Sequence, residues 1–311
     1  MKNTKPLSRT NPIELTDYAF LWYGQSSLGH RNMLETVAEM AMPESWGFCE
    51  GDMSILESYL NQTFCKLQRD GLVVENRGFA AFNTGLVTPD YDELYMCFEP
   101  NRRNDKQPWY CLGVCTEFDN DKGGLSQRLR NECESMPVRA NYFRDLGDVV
   151  YDPSRRVTCN WDHIAVDNCD RLPSKFLMRY LSDAPKDVKD LLAHSESESV
   201  LNEKTERLRE FLRNNDDARW QIRDALKSAH RRSSKRCAYC FRIAVPSYYP
   251  RINKVQTLLP LCLVSDSQPD VALVLGRDDQ GNYEGRTILT LQMAYKNARL
   301  LCKPESSWLV V

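Results

Sequence analysis

Asn160 to Pro173 reads NWDHIAVDNCDRLP, which sets a histidine among acids and amides inside an apolar run. Histidine is the side chain whose ordinary pKa lies nearest neutrality, and a carboxylate beside it can fix which ring nitrogen carries the proton. Asp162 and His163, with Asn160, Asn168 and Arg171 around them, therefore suit proton transfer or the binding of a ribose or phosphate. In an extended segment Asn160 and Asp162 share one face while Trp161 and His163 share the other, so Asp162 does not orient His163 directly. The competing reading is a core histidine bonded to backbone, since buried polar groups are normally satisfied.

A second polar set lies in TILTLQMAYKNARL, Thr287 to Leu300. Thr287 to Leu291 favour a strand and Met293 to Leu300 a helix, which predicts a strand turning into a short helix near Gln292. That helix puts Tyr295 and Arg299 four residues apart on one face, with Asn297 close by. A guanidinium offers a planar fork matched to phosphate or carboxylate oxygens, and a tyrosine can stack on or hydrogen-bond a ligand. These two join Asp162 and His163 as candidate catalytic residues. The plainer alternative is an ion pair of Arg299 with an acid such as Asp162 that closes the fold.

Arg219, Arg223, Lys227, Arg231 and Lys235 recur every fourth residue, with Asp224 the one acid between 219 and 236. On a helix this is a basic stripe about 24 Å long, able to track a phosphate backbone, or else a solvated face paired with acids elsewhere. Three smaller motifs carry weaker chemistry. Asn83 and Thr84 precede Gly85 in a tight-turn pattern whose polar atoms can also hold a ligand oxygen. Tyr248, in VPSYYP, is a packing anchor or a base-stacking platform. Cys237 and Cys240 form one CAYC with no second pair at metal-ligand spacing, so buried thiols on a strand are expected and no metal site is.

The elements that must position these residues follow from pattern. Two helices are expected between 30 and 70, a meander of short strands from 72 to 114, and helices through the glycine-free, charge-rich stretch 183–236 with a break near His194 to Ser199. Strands return from Cys237 onward as YCFRIAVP, TLLPLCLV and DVALVLG. The fold class predicted is α+β: a mixed, largely antiparallel sheet from residues 72–170 and 237–302, packed helices, and a long helical insertion at 175–236. Residues 1–25 read as a flexible arm and 26–311 as a single domain.

Composition limits the partners. With 311 residues, 42% hydrophobic, 27% charged and a net charge of −2, the chain is not a globally polybasic nucleic-acid binder. It has no apolar signal core and no run of eighteen apolar residues, so a cytoplasmic protein that does not span a membrane is expected. Its twelve cysteines then read as reduced thiols. No phosphate-cradling glycine loop or metal-carboxylate spacing is present, and no cofactor is expected.

The ordered motifs YLNQTFCKL, FNTGL, LYMCFEPN, YDPS, WDHI followed by DN and RLP, AVPSYY, LLPLCL and LTLQMAYKNARL, with the closing WL, resemble the DUF3825 family, a domain of unknown function found mainly in bacteria and some fungi. The resemblance spans about residues 30 to 310. Some relatives carry an appended cold-shock module, which implies RNA. No such module is expected in this chain, and it reads Tyr239-Cys240-Phe241-Arg242 where the family has an Asn-Tyr-Lys run. The expected function is an RNA-associated protein that binds or processes RNA or a nucleotide-like ligand through a polar pocket and the basic helix. The alternative is a structural or interaction module whose polar motifs form a buried hydrogen-bond network.

Overall fold

The computed structural model describes residues 12–22, 32–103, 107–118, 124–143, 145–193 and 198–311. It is α+β, as expected, but its strands form two five-stranded sheets where the sequence suggested one. The chain divides into two compact units, Met1–Asn141 with Val311, and Tyr142–Val310. Alternation along a strand fixes its faces but not its neighbours, so a one-sheet reading had no signal to separate the two sets.

In the first unit α1 (Leu15–Tyr18), β1 (Ala19–Phe20), α2 (Met33–Met40) and α3 (Ser54–Asp70) precede β2 (Val74–Glu75), β3 (Ala80–Val87), β4 (Glu93–Pro100) and β5 (Trp109–Cys115), followed by α4 (Leu125–Glu132). The sheet order is β1-β5-β4-β3-β2, antiparallel except for the β1–β5 pair. Phe64 of α3 lies 5.2 Å from Phe82, which stacks on Phe98 at 5.9 Å, so the apolar stripe of α3 closes one face of the sheet. Across the pleat Ala81, Tyr95, Cys97 and Cys115 pack with Leu129 and Cys133 beneath α4. The N-terminal arm predicted at 1–25 lies mostly outside the described residues.

The second unit holds β6 (Val157–Cys159), α5 (Trp161–Val166), α6 (Ser174–Leu177), α7 (Lys186–Ala193), α8 (Glu198–Asn214), α9 (Asp216–Tyr239), β7 (Val245–Tyr249), β8 (Lys254–Leu261), β9 (Val271–Arg277), β10 (Tyr283–Thr290) and α10 (Leu291–Arg299). Its sheet runs β6-β10-β9-β8-β7, antiparallel except where β6 joins β10 in parallel. Helix α9 packs Ile222, Leu226, Ala229 and Cys237 into a core with Leu259, Leu261, Leu273, Leu275 and Ile288 of the sheet. The strand-to-helix turn predicted near Gln292 falls at Thr290/Leu291, where the Thr290 hydroxyl accepts the Met293 amide at 3.3 Å as an N-cap. The helical stretch after 183 is present as α7 to α9. Of the break expected at His194–Ser199, residues 194–197 lie outside the described chain, and α8 begins at Glu198.

Two local expectations are corrected. CAYCFRIAV is not a strand: Cys237 lies in the last turn of α9, Cys240 is its C-cap, and Phe241–Ile243 form a 3-10 turn before β7. The helix-forming run before it carries α9 on through Tyr239. The segment after Asn160 is likewise a helix, because the Asn160 side chain accepts the His163 amide at 3.1 Å and starts α5.

Candidate functional site

Helical geometry changes the partner of the histidine. In α5, residues four apart share a face, so His163 meets Asp167 and not Asp162: its Nδ1–H donates to Asp167 Oδ2 at 2.7 Å. Asn168 Nδ2 donates to His163 Nε2 at 3.3 Å and to the His163 carbonyl at 3.4 Å. A carbonyl only accepts, so it fixes that amide end as the NH2, and Nε2 must accept. This geometry gives Nδ1 the donor role and Nε2 the acceptor role, with Nε2 covered by an asparagine rather than a nucleophile.

The chain of bonds continues inward. The Thr287 hydroxyl donates to Asn168 Oδ1 at 2.9 Å, while Arg171 Nη1 donates to Thr287 Oγ1 and to the Ile288 carbonyl, each at 2.9 Å. Asn168 itself is buried. Outward, Asp167 also receives Arg213 of α8 at 3.4 Å. The hydrogen bond from His163 holds the Asp167 carboxyl below its ordinary range against the opposing effect of burial, with a smaller contribution from the Arg213 hydrogen bond. Arg209 of α8 ties the same turn down through the Asp167 carbonyl at 3.0 Å and the Asp170 carboxylate at 3.1 Å.

Above this network opens a cleft of about 420 Å³ lined by Asn160, Asp162, His163, Val166, Asp167, Arg213, Arg219 and Arg223. Asp162 faces α9, where Arg223 Nη1 reaches its two oxygens at 3.3 and 3.4 Å and Arg219 Nε approaches at 3.8 Å. Arg219 also pairs with Asp216 and donates to the Arg213 carbonyl at 2.9 Å. The partners of Asp162 are thus the first two cations of the stripe, in place of the Arg299 pairing considered from sequence. Trp161 of α5 and His230 of α9 lie with ring centroids 5.6 Å apart and brace the two helices. Burial, with the neighbouring Arg231 charge, lowers the His230 pKa.

The remaining candidates go elsewhere. Tyr295, Asn297 and Arg299 sit on α10, with Tyr295 buried, and do not line the cleft, although Thr287 of the same stretch feeds the network beneath it. Tyr248 is buried, donates to Asn253 Oδ1 at 2.7 Å, and packs edge-on against Tyr142 at 4.7 Å. Asn83 and Thr84 belong to the first unit and are fully buried. The Asn83 amide donates to Glu93 Oε2 at 2.9 Å and to the Pro137 carbonyl at 3.2 Å, and Thr84 donates to the Leu94 carbonyl at 2.7 Å. Gly85 next to them has φ +74, and a Cβ there would stand 2.7 Å from the Tyr59 hydroxyl, so the NTG motif builds a bulge that only glycine fits.

Lys227, Arg231 and Lys235 have no acidic partner among the described residues, and Arg231 and Lys235 are exposed. Trp220 and Tyr239, 58% and 93% exposed, share the outer side of the same helix. Neither aromatic was singled out from sequence, though Trp220 stands seven residues before Lys227, the spacing that brings a side chain back to the same helical line. Asp167, Arg213 and Thr287 were also missed; the i,i+4 relation of Asp167 to His163 was visible once the segment is helical. All twelve cysteines are free, and burial pushes the Cys237 thiol up to about 11, which keeps that thiol protonated at neutral pH. Among the described residues no cluster could hold a metal, and no helix is long and apolar enough to cross a membrane.

Fold and site together describe an α+β protein with an internal polar relay under an arginine-lined cleft. The chain belongs to the DUF3825 family, a domain of unknown function that matches residues 37–308. No curated protein and no solved structure matches it.

Proposed function

We propose that the protein binds RNA as a single strand along the outer face of α9. The observation that carries this reading is the line Trp220, Lys227, Arg231. At 100° per residue Lys227 and Arg231 fall about 20° to either side of Trp220, and Lys235 and Tyr239 follow on one side at about 60° and 100°. Unpaired cations interleaved with exposed rings are what a flexible strand needs, since phosphates meet the charges and any base can stack on a ring. A row from Trp220 to Lys235 is about 22 Å long, which serves a few nucleotides and suits a protein that is acidic overall.

The test is anisotropy of a labelled single-stranded RNA with the full chain at 50 and 200 mM salt. Three phosphate contacts on a single strand predict a slope of log affinity against log salt of about −2. K227E/R231E/K235E is expected to abolish binding while the protein still melts normally, because surface changes cost under about 0.5 kcal/mol each. Unchanged affinity and slope in that triple variant exclude α9 as the binding face.

One observation favours the other class. The Arg171–Thr287–Asn168–His163 chain is satisfied from end to end, and it ties helix, turn and strand together as a structural network does. In that reading the polar motifs hold the fold, and a histidine whose Nε2 is already occupied is not a general base.

A further inference from the structure

The cleft between α5, α8 and α9 carries an arrangement that the relay does not explain. Arg219 and Arg223, four residues apart on α9, converge on one carboxylate that is half-exposed. Their distances to Asp162, 3.3 to 3.8 Å, are long for charge-assisted hydrogen bonds, which close to about 2.8 Å when the fit is good. Arg223 also keeps its Nε–H, enclosed and without an acceptor. Arg213 of α8 lines the same cleft, held by Asp167 at 3.4 Å. Three guanidinium groups from two helices thus face one open space, and a weakly seated internal anion stands before two of them.

We propose that this cleft is a phosphate-binding site and that Asp162 is its internal competitor, occupying the Arg219–Arg223 fork until a phosphate group displaces it. A phosphate has more acceptor oxygens than a carboxylate, so it can take the Arg223 guanidinium and the Arg219 Nε–H together and reach toward Arg213. The displaced Asp162 carboxylate turns to water, to which it is already open. This site is separate from strand binding on the outer face of α9, because Lys227, Arg231 and Lys235 do not line the cleft.

The experiment titrates the full chain with three probes: inorganic phosphate, a nucleoside 5′-monophosphate and a short single-stranded RNA, with calorimetry and the His163 ring signals as readouts. Asp162→Asn keeps the size and removes the competing charge, and is expected to tighten phosphate binding about two- to fivefold, a modest ion-pair strength expressed as affinity. Arg223→Lys keeps the charge and loses the fork, and is expected to weaken binding about tenfold. Opposite responses to any probe support the site. A response to phosphate and the monophosphate points to a free small ligand, and a response to RNA alone points to a strand phosphate. If folded Asp162→Asn binds none of the three more tightly than the parent chain, the proposal is overturned. Arg213→Lys provides an arm that leaves the α5–α9 contact intact, and unchanged binding there together with unchanged binding in Arg223→Lys overturns the proposal equally. K227E/R231E/K235E should retain phosphate binding in the cleft even where it loses RNA, so the two readings fail separately.

Discussion

Thr287→Val isolates the relay with almost no change of shape, since valine is isosteric with threonine and equally at home in a strand. The hydroxyl joins Arg171 Nη1 to Asn168 Oδ1, both at 2.9 Å. Its removal costs two hydrogen bonds, each worth about 1 kcal/mol net, and leaves the buried Asn168 oxygen without its donor, which adds a further penalty of about 1 kcal/mol or more. Arg171 loses less, because Nη1 keeps the Ile288 carbonyl at 2.9 Å. The sum is about 2–3 kcal/mol. For a unit of the size of residues 142–310 that lowers Tm by about 5–10 °C. The assay is a thermal melt followed by circular dichroism, paired with long-range 1H–15N correlation of the His163 ring. In the parent chain Nε2 should give the shift of an unprotonated nitrogen, and the variant should show a mixture of tautomers as Asn168 is freed to turn. A melt within about 1 °C of the parent, with an unchanged His163 spectrum, would refute the claim that Thr287 holds the relay.

Acid should act in two stages. His230 is kept neutral by burial, so its folded pKa lies below the unfolded value of about 6.5; between the two the unfolded chain takes up a proton that the folded one does not, and stability falls as pH falls through that window. His230→Gln should flatten this segment of a Tm–pH curve while leaving a second loss below the ordinary carboxylate range, where Asp167 takes up a proton in the unfolded chain before it does in the folded one. A parent curve with no slope between pH 6.5 and 4.5 would contradict the assignment. Gly285→Ala would place a Cβ 2.6 Å from Cys159 Sγ and 3.0 Å from its Cβ, across the β10–β6 register, and should cost about 1–3 kcal/mol, partly restored by adding Cys159→Ala. Equal melting of the single and double variants would place the strain elsewhere.

Much of the architecture was legible because strand and helix formers separate cleanly along the chain. TILTL and QMAYKNARL meet within two residues of the predicted boundary, and Thr290 at that boundary is a cap residue. Pairing was less legible. Val157–Cys159 lies before the helices and its partner β10 after them, and a three-residue parallel strand leaves almost no periodicity to read. Asn160 to Val166 misled for a different reason. Trp161, Ile164 and Val166 are strand formers by type, yet one capping bond from Asn160 and the packing of Ile164, Ala165 and Val166 into the core outweigh that preference. The polar residues of the cleft were therefore found with the wrong partners, since period two pairs Asp162 with Asn160 whereas period 3.6 pairs His163 with Asp167.

The stripe on α9 shows most clearly why spacing alone misjudges a surface. A step of four residues on a 3.6-residue helix overshoots a full turn by 40°, so from Arg219 to Lys235 the row rotates by about 160°. The buried line Ala218, Ile222, Leu226, Ala229, Ser233 and Cys237 mixes steps of three and four and stays on the core side, while the cations drift away from it. Arg219 and Arg223, nearest the core flank, end beside α5 and meet Asp162. By Lys227 the row has left the flank, and Arg231 and Lys235 face solvent. A single regular sequence pattern thus yields two electrostatic environments, one neutralised within the cleft and one open beside Trp220. Charge changes in the two halves should differ in kind: those at 219 and 223 alter how α5 is held, whereas those at 227, 231 and 235 alter only what the helix can attract from solution.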